Sequence, residues 1–240
     1  MTGGNGGIGR SIASAFAAAG DRVALTSRNG ELGAGSRAEL AVALDLEDLD
    51  GVAAAVEAAI DRLDGLDTLV VNAVRWPTAT AERFEDLPVD QWRVVLRANV
   101  EGSFAVVQAA LGALRRCGRG RVVLISSGVA EEGHPPSPHY AAAKAALHGL
   151  ARVLAWDGGA DAVLTNVVAV GLTRTERNAR ALPEDLLARA GDLTPQRRVS
   201  TPDDVARVVL WLGSDANTSV TGEVVREGTS AARTPLVALG

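Results

Sequence analysis

The chain of 240 residues contains one cysteine, one methionine, one tyrosine, three phenylalanines and three histidines. Cys117 stands alone, so there is no disulfide framework, and no metal site is expected. Aromatic residues make up 3%, which leaves Ala, Val and Leu to build the core. No apolar run reaches the length of a signal-peptide core or a membrane span. The net charge is −5, and the arginines are scattered among acids rather than massed in a stripe, so neither nucleic acid nor a membrane surface is expected as a partner. These exclusions lead to a cytoplasmic protein. The length suits one α/β domain, 1–240, with no room for a second substrate domain.

The scarcest residue of all is lysine: 23 of the 24 basic residues are arginine, and the one lysine, Lys144, follows the one tyrosine, Tyr140, by four positions. On a helix that spacing stacks the phenol and the ammonium on one face. A lysine there offers a compact point charge, where arginine would bring a wide planar fork. Upstream, 121–126 (RVVLIS) is a β-branched run between glycines and reads as a buried strand, with Ser127 at its C-terminal end, where open parallel sheets place their ligands. The intervening GHPPSP cannot be helical, so it turns the chain into a helix starting near His139.

Ser127, Tyr140 and Lys144 thus converge, and the set resembles the Ser, Tyr-x-x-x-Lys site of the short-chain dehydrogenase/reductase family. Other segments carry the resemblance in order over about residues 2–228. Thr2, Gly3, Gly7, Ile8 and Gly9 are similar to its TGxxxGIG loop, and a glycine loop opening a helix presents backbone N–H groups to a diphosphate. A strand over 22–26 ends at Ser27 and Arg28; a hydroxyl and a guanidinium where a carboxylate would hold a ribose 2′-hydroxyl favour NADPH, with NAD less suited. A strand over 41–46 carries Asp45, which resembles the family's adenine-contacting aspartate or else caps a helix over 47–63. The strand 67–73 keeps Asn72 and Ala73 of the family's NNAG stretch, while Val74 replaces its glycine. Asn99, in a helix over 89–116, matches the asparagine whose carbonyl the family uses in its proton path. Gly171, Thr173 and Thr175 resemble the PGxTxT turn over the nicotinamide, with Val170 for proline. A charged lid spans 172–200, a helix begins at Thr201, and the last strand ends with Glu227 where the family has glycine.

The resemblance implies a doubly wound, Rossmann-type sheet of about seven parallel strands. It implies reduction of a ketone to a secondary alcohol, or the reverse. In that scheme Ser127 holds the substrate oxygen, Tyr140 gives the proton, Lys144 lowers the tyrosine pKa and clamps the ribose, and Asn99 completes the proton path. The substrate is a small carbonyl compound, with a carrier-bound 3-oxoacyl thioester or a secondary-metabolite ketone as candidates. A homotetramer or homodimer is expected through the long helices, where alanines at 141–143, 145 and 146 permit close approach. A non-catalytic cofactor-binding subunit is the alternative, motivated by Val74, Val170 and Glu227. One piece is missing: the glycine loop follows Met1 directly, so the first central strand is cut short at the N-terminus. Either upstream sequence or the tail, 229–240, whose residues 234–240 have the composition of a strand, is expected to fill the slot.

Overall fold

The computed structural model describes residues 1–81 and 83–228. Along the chain run α1 (Gly7–Ala18), β1 (Ala24–Ser27), β2 (Leu40–Ala43), α2 (Leu49–Leu63) and β3 (Thr68–Val71). There follow α3 (Val89–Leu96), a π-helical turn (Arg97–Glu101), α4 (Gly102–Arg116), β4 (Arg121–Ser127), α5 (Val129–Glu132) and α6 (Pro138–Gly158). The chain continues with β5 (Leu164–Val170), α7 (Glu176–Ala181), α8 (Glu184–Asp192), α9 (Pro202–Leu212) and β6 (Val224–Glu227). All strand pairs are parallel, β1 beside β2 and β3-β4-β5-β6 in that order.

Side chains alternate across the strands, and both faces are covered, which is why these strands read as apolar runs. Leu69, Val71, Val122, Leu124 and Val167 face a core built with α2, α4 and α6. Val70, Val123, Ile125 and Val168 face the opposite core, with Ile12 and Phe16 of α1 and Val205, Val209 and Leu212 of α9. Helix α9 starts where Thr201 and Asp204 cap each other's backbone, a reciprocal box that satisfies two helix-end donors. The segment Val89–Arg116 is long and apolar enough to cross a membrane, but Val106, Val107, Ala110 and Leu114 spend its apolar face on the core.

The sheet departs from the expected seven strands. Six are present among the described residues, in sheets of two and four, and the slot between β1 and β3 is held only by Met1 and Thr2. Thr2 N donates to Val70 O at 2.9 Å and Thr26 N to Met1 O at 2.9 Å, so these two residues bridge both neighbours. Two residues cannot extend a ladder, and the sheet divides there. The Met1 ammonium donates to Ala24 O at 2.7 Å, and burial pulls its pKa down to about 6. The expected replacement strand at 234–240 lies outside the described residues.

Candidate active site

The C-terminal end of β4 delivers Ser127, and the short α5 with the proline turn returns the chain so that α6 begins at Pro138, whose missing N–H costs nothing in a first turn. Tyr140 and Lys144 then lie one turn apart on α6. The half-buried Tyr140 phenol shares a hydrogen bond with Ser127; burial pushes its pKa up to about 12, against which the Ser127 bond and the charge of Arg177 pull down. Lys144 is 4% exposed, and burial lowers its ammonium to about 8. Its Nζ sits 5.9 Å from the Tyr140 ring centroid and donates to Ile125 O at 2.7 Å. Next to it is a pair that the sequence gave no sign of: Ser126 Oγ donates to Lys144 O and meets His148 Nε2, each at 2.9 Å. Sequence spacing places His148 one further turn along the same helix face, and that is the signal that was available.

Asn99 is 1% exposed and lies in the π-helical turn that interrupts the expected continuous helix. Its side chain is committed to the loop after β3: Oδ1 accepts from Arg75 N at 2.8 Å and Nδ2 donates to Arg75 O at 2.9 Å. Its main-chain carbonyl accepts from Ser103 Oγ at 2.8 Å. Asn99 therefore fixes the strand-end loop that carries Trp76. Val74 takes no positive φ, so the loop manages without the family's glycine.

The glycine loop is drawn against β1 and β3. Thr2 Oγ1 accepts from the N–H groups of Asn72 and Ala73 at 3.0 and 2.9 Å, and Asn72 Nδ2 donates to Gly3 O at 2.9 Å. A Cβ at Gly9 would lie 2.3 Å from Gly3 O, and Gly3 itself holds φ +66 with Ala73 Cα 2.7 Å from where its Cβ would be. Helix α1 starts at Gly7 with no side-chain cap and no acidic residue in its first turn, so its N–H groups and positive end stay open. Ile8, half-buried, packs against the core behind the loop. Ser27 Oγ donates to Glu31 O at 2.9 Å, and Arg28 beside it is exposed. Asp45 is exposed and accepts from Glu47 N at 3.0 Å; the cap of α2 is Asp48, which accepts from Gly51 N. Strand β2 ends earlier than the expected 41–46, so Asp45 falls in the turn beyond it.

On the other side, Gly171 N donates to Glu227 O at 2.8 Å, and the buried Thr173 donates to Gly171 O at 3.1 Å. Thr175 caps α7 by accepting from Asn178 N, and its Cβ lies 3.3 Å from where a Gly7 Cβ would be. The lid thus closes onto the glycine loop, tied by the Arg10–Glu176 ion pair at 2.5 Å. Two loops far apart in sequence meet over the phenol: the Trp76 ring stacks on Tyr140 with centroids 5.2 Å apart, and the Arg177 guanidinium lies 3.9 Å from the Trp76 ring. Glu227 is 8% exposed with Oε2 unpartnered, and burial raises its pKa.

A parallel sheet covered on both faces, with an open helix start at its centre and a serine, tyrosine and lysine at the strand ends, defines a dinucleotide-binding α/β oxidoreductase. The chain belongs to the short-chain dehydrogenase/reductase family. The matching family model, described as enoyl-(acyl carrier protein) reductase, covers residues 3–226. Among curated relatives, the chain is 33% identical over 234 residues to 3-oxoacyl-(acyl-carrier-protein) reductase FabG of Aquifex aeolicus, covering 94% of this chain and 93% of that protein. It is 34% identical over 230 residues to acetoacetyl-CoA reductase of Shinella zoogloeoides, covering 94% of each. A Sinorhizobium meliloti crystal structure described as a short-chain alcohol dehydrogenase superposes with a TM-score of 0.86 at 33% identity, covering 95% of this chain and 93% of that one. The protein is accordingly an oxidoreductase whose relatives reduce ketoacyl groups. The nicotinamide cofactor that the family implies suits the residues present, because the close contacts at Gly3 and Gly9 make a cradle that any Cβ would fill.

Proposed function

We propose that the protein reduces a ketone to a secondary alcohol, with NADPH as hydride donor and a 3-oxoacyl compound as substrate. The observation that carries this reading is the Ser127–Tyr140 hydrogen bond at the end of β4, with Lys144 buried one helical turn beneath it. Thr2, Gly3, Gly7, Ile8, Gly9, Asn72 and Ala73 would hold the cofactor's diphosphate side, Ser27 and Arg28 its 2′-phosphate, Asp45 its adenine, and Gly171, Thr173 and Lys144 its nicotinamide end. Bound there, NADPH supplies the hydride. Ser127 donates to the substrate oxygen and fixes it near the phenol. Tyr140 passes its proton to that oxygen as negative charge develops on it. A phenol at about 12 gives up its proton reluctantly, and Lys144 and Arg177 supply the positive charge that assists it. Asn99 acts by holding the loop at Arg75 and offers its carbonyl to the proton path.

The relatives' names support a ketoacyl substrate, and the four-residue spacing of Tyr140 and Lys144 favours carbonyl over enoyl reduction. The second reading, a cofactor-binding subunit without turnover, draws on the Lys144 ammonium facing Ile125 O. We place the protein in the cytoplasm as a homodimer or homotetramer joined through α4 and α6, where Phe104, Val153 and Trp156 are exposed. The test is NADPH oxidation followed with the N-acetylcysteamine thioester of 3-oxobutanoate and with simple ketones. Turnover is expected, and Tyr140→Phe should lower it at least 100-fold with NADPH affinity kept. NADPH binding without turnover of any ketone would establish the second reading.

A further inference from the structure

Arg177 stands apart from the other cations of the lid. Arg174 pairs with Glu184 through two contacts of 2.8 Å, Arg198 pairs with Asp204, and Arg197 donates to Asp192 O at 2.7 Å. Arg10, facing the lid from α1, is taken by Glu176. Among the described residues Arg177 has no carboxylate within ion-pair distance, although the chain carries a net charge of −5. It is held by its flat face alone, 3.9 Å above the Trp76 ring, and that ring lies on Tyr140. A guanidinium stacked by its face keeps its in-plane N–H donors free, and their fork matches a carboxylate. The side of the lid that meets the glycine loop is already occupied by Thr175 against Gly7 and by the Arg10–Glu176 pair. Arg177 faces Trp76 and the phenol instead.

We propose that Arg177 is the specificity residue of the site and that its preferred substrate is an anionic ketone, a 3-oxo or 4-oxo acid whose carboxylate the guanidinium receives while the ketone oxygen lies at Ser127 and Tyr140. The proposal rests on the ketone-reductase reading above. Trp76 is its positioning residue: pinned by the loop that Asn99 holds, the indole sets where the guanidinium rests. The same positive charge favours transfer of the Tyr140 proton, because it stabilises the phenolate left behind. Loss of a charge-assisted bond to a carboxylate corresponds to a change in kcat/KM of roughly 10- to 100-fold.

The experiment compares kcat/KM for 3-oxobutanoate and 4-oxopentanoate with that for their methyl esters, with NADPH, in the wild-type protein, Arg177→Met and Arg177→Lys. Arg177 is exposed, so these changes leave the core untouched. The expected result is a preference for at least one acid over its ester of 10-fold or more, erased in Arg177→Met, partly kept in Arg177→Lys, with the KM for NADPH unchanged. Esters reduced as well as acids by the wild-type protein would overturn the proposal, as would equal losses on both in Arg177→Met. A raised KM for NADPH with an unchanged acid-to-ester ratio would also overturn it, by assigning Arg177 to the cofactor diphosphate. Turnover of the neutral thioester without any preference for acids rejects the role of Arg177 and keeps the reductase reading. No turnover of acid, ester or thioester rejects both.

Discussion

Lys144→Met is expected to make the apo protein more stable while abolishing turnover. Lys144 is 4% exposed, and its one hydrogen bond is to Ile125 O at 2.7 Å, with no carboxylate in ion-pair distance among the described residues. Burial brings its pKa from the ordinary 10.5 down to about 8, a gap that corresponds to about 3 kcal/mol of penalty on the charged form. Methionine keeps the length of the stem and removes the charge. The lost bond to Ile125 O returns about 1 kcal/mol, leaving a net gain of about 1–2 kcal/mol at pH 7. For a chain of this size that is a rise in Tm of about 2–8 °C. The sign with pH is set by the depressed folded value. Between about 8 and 10.5 the unfolded chain binds more protons than the folded one, so wild-type stability rises with pH through that window relative to the variant. Thermal melts of both proteins at pH 7 and pH 10 measure this, and the advantage of Lys144→Met should shrink at the higher pH. A variant that melts below wild type at pH 7, or a difference that does not change with pH, would refute the reasoning.

Gly9→Ala puts a Cβ 2.3 Å from Gly3 O and 3.0 Å from Asn72 Nδ2, so the loop must shift. We expect a loss of about 1–3 kcal/mol in stability and at least 10-fold in NADPH affinity, read by melting and calorimetric titration; unchanged affinity would remove the loop from the cofactor site. Arg28→Asp should reverse the preference for NADPH over NADH, since a carboxylate repels a 2′-phosphate and accepts from a 2′-hydroxyl, and an unmoved ratio of the two efficiencies would make Arg28 a turn residue only. Glu227 has its folded pKa raised by burial, with Asp204 adding and with the Ser200 bond and Arg198 opposing. Its contribution to stability is therefore present below the ordinary glutamate value of 4.5 and lost as pH rises through the raised one. Glu227→Gln should flatten that acid-to-neutral decline, and melting curves from pH 4 to 8 that run parallel in the two proteins would contradict it.

The sequence by itself determined what depends on local spacing and on chain order. The four-residue step from Tyr140 to Lys144, the strand-end Ser127 and the glycine loop before α1 are each set within one element or one turn, where periodicity and sterics act directly. The apolar runs of β4 and β5 fixed a parallel sheet buried on both faces for the same reason. Tertiary structure decided the rest, because it depends on which surfaces meet. Asp45 lost its cap role to Asp48 when β2 ended early, and the helix around Asn99 opened into a π-turn whose side chain serves the loop at Arg75. The ammonium of Lys144 turned to Ile125 O, since a buried cation takes the acceptor within its reach. Trp76 and Arg177 stand about a hundred residues apart in the chain, and no local pattern joins them. Only the closing of the lid onto the strand-end loop brings the guanidinium over the indole and the indole over the phenol.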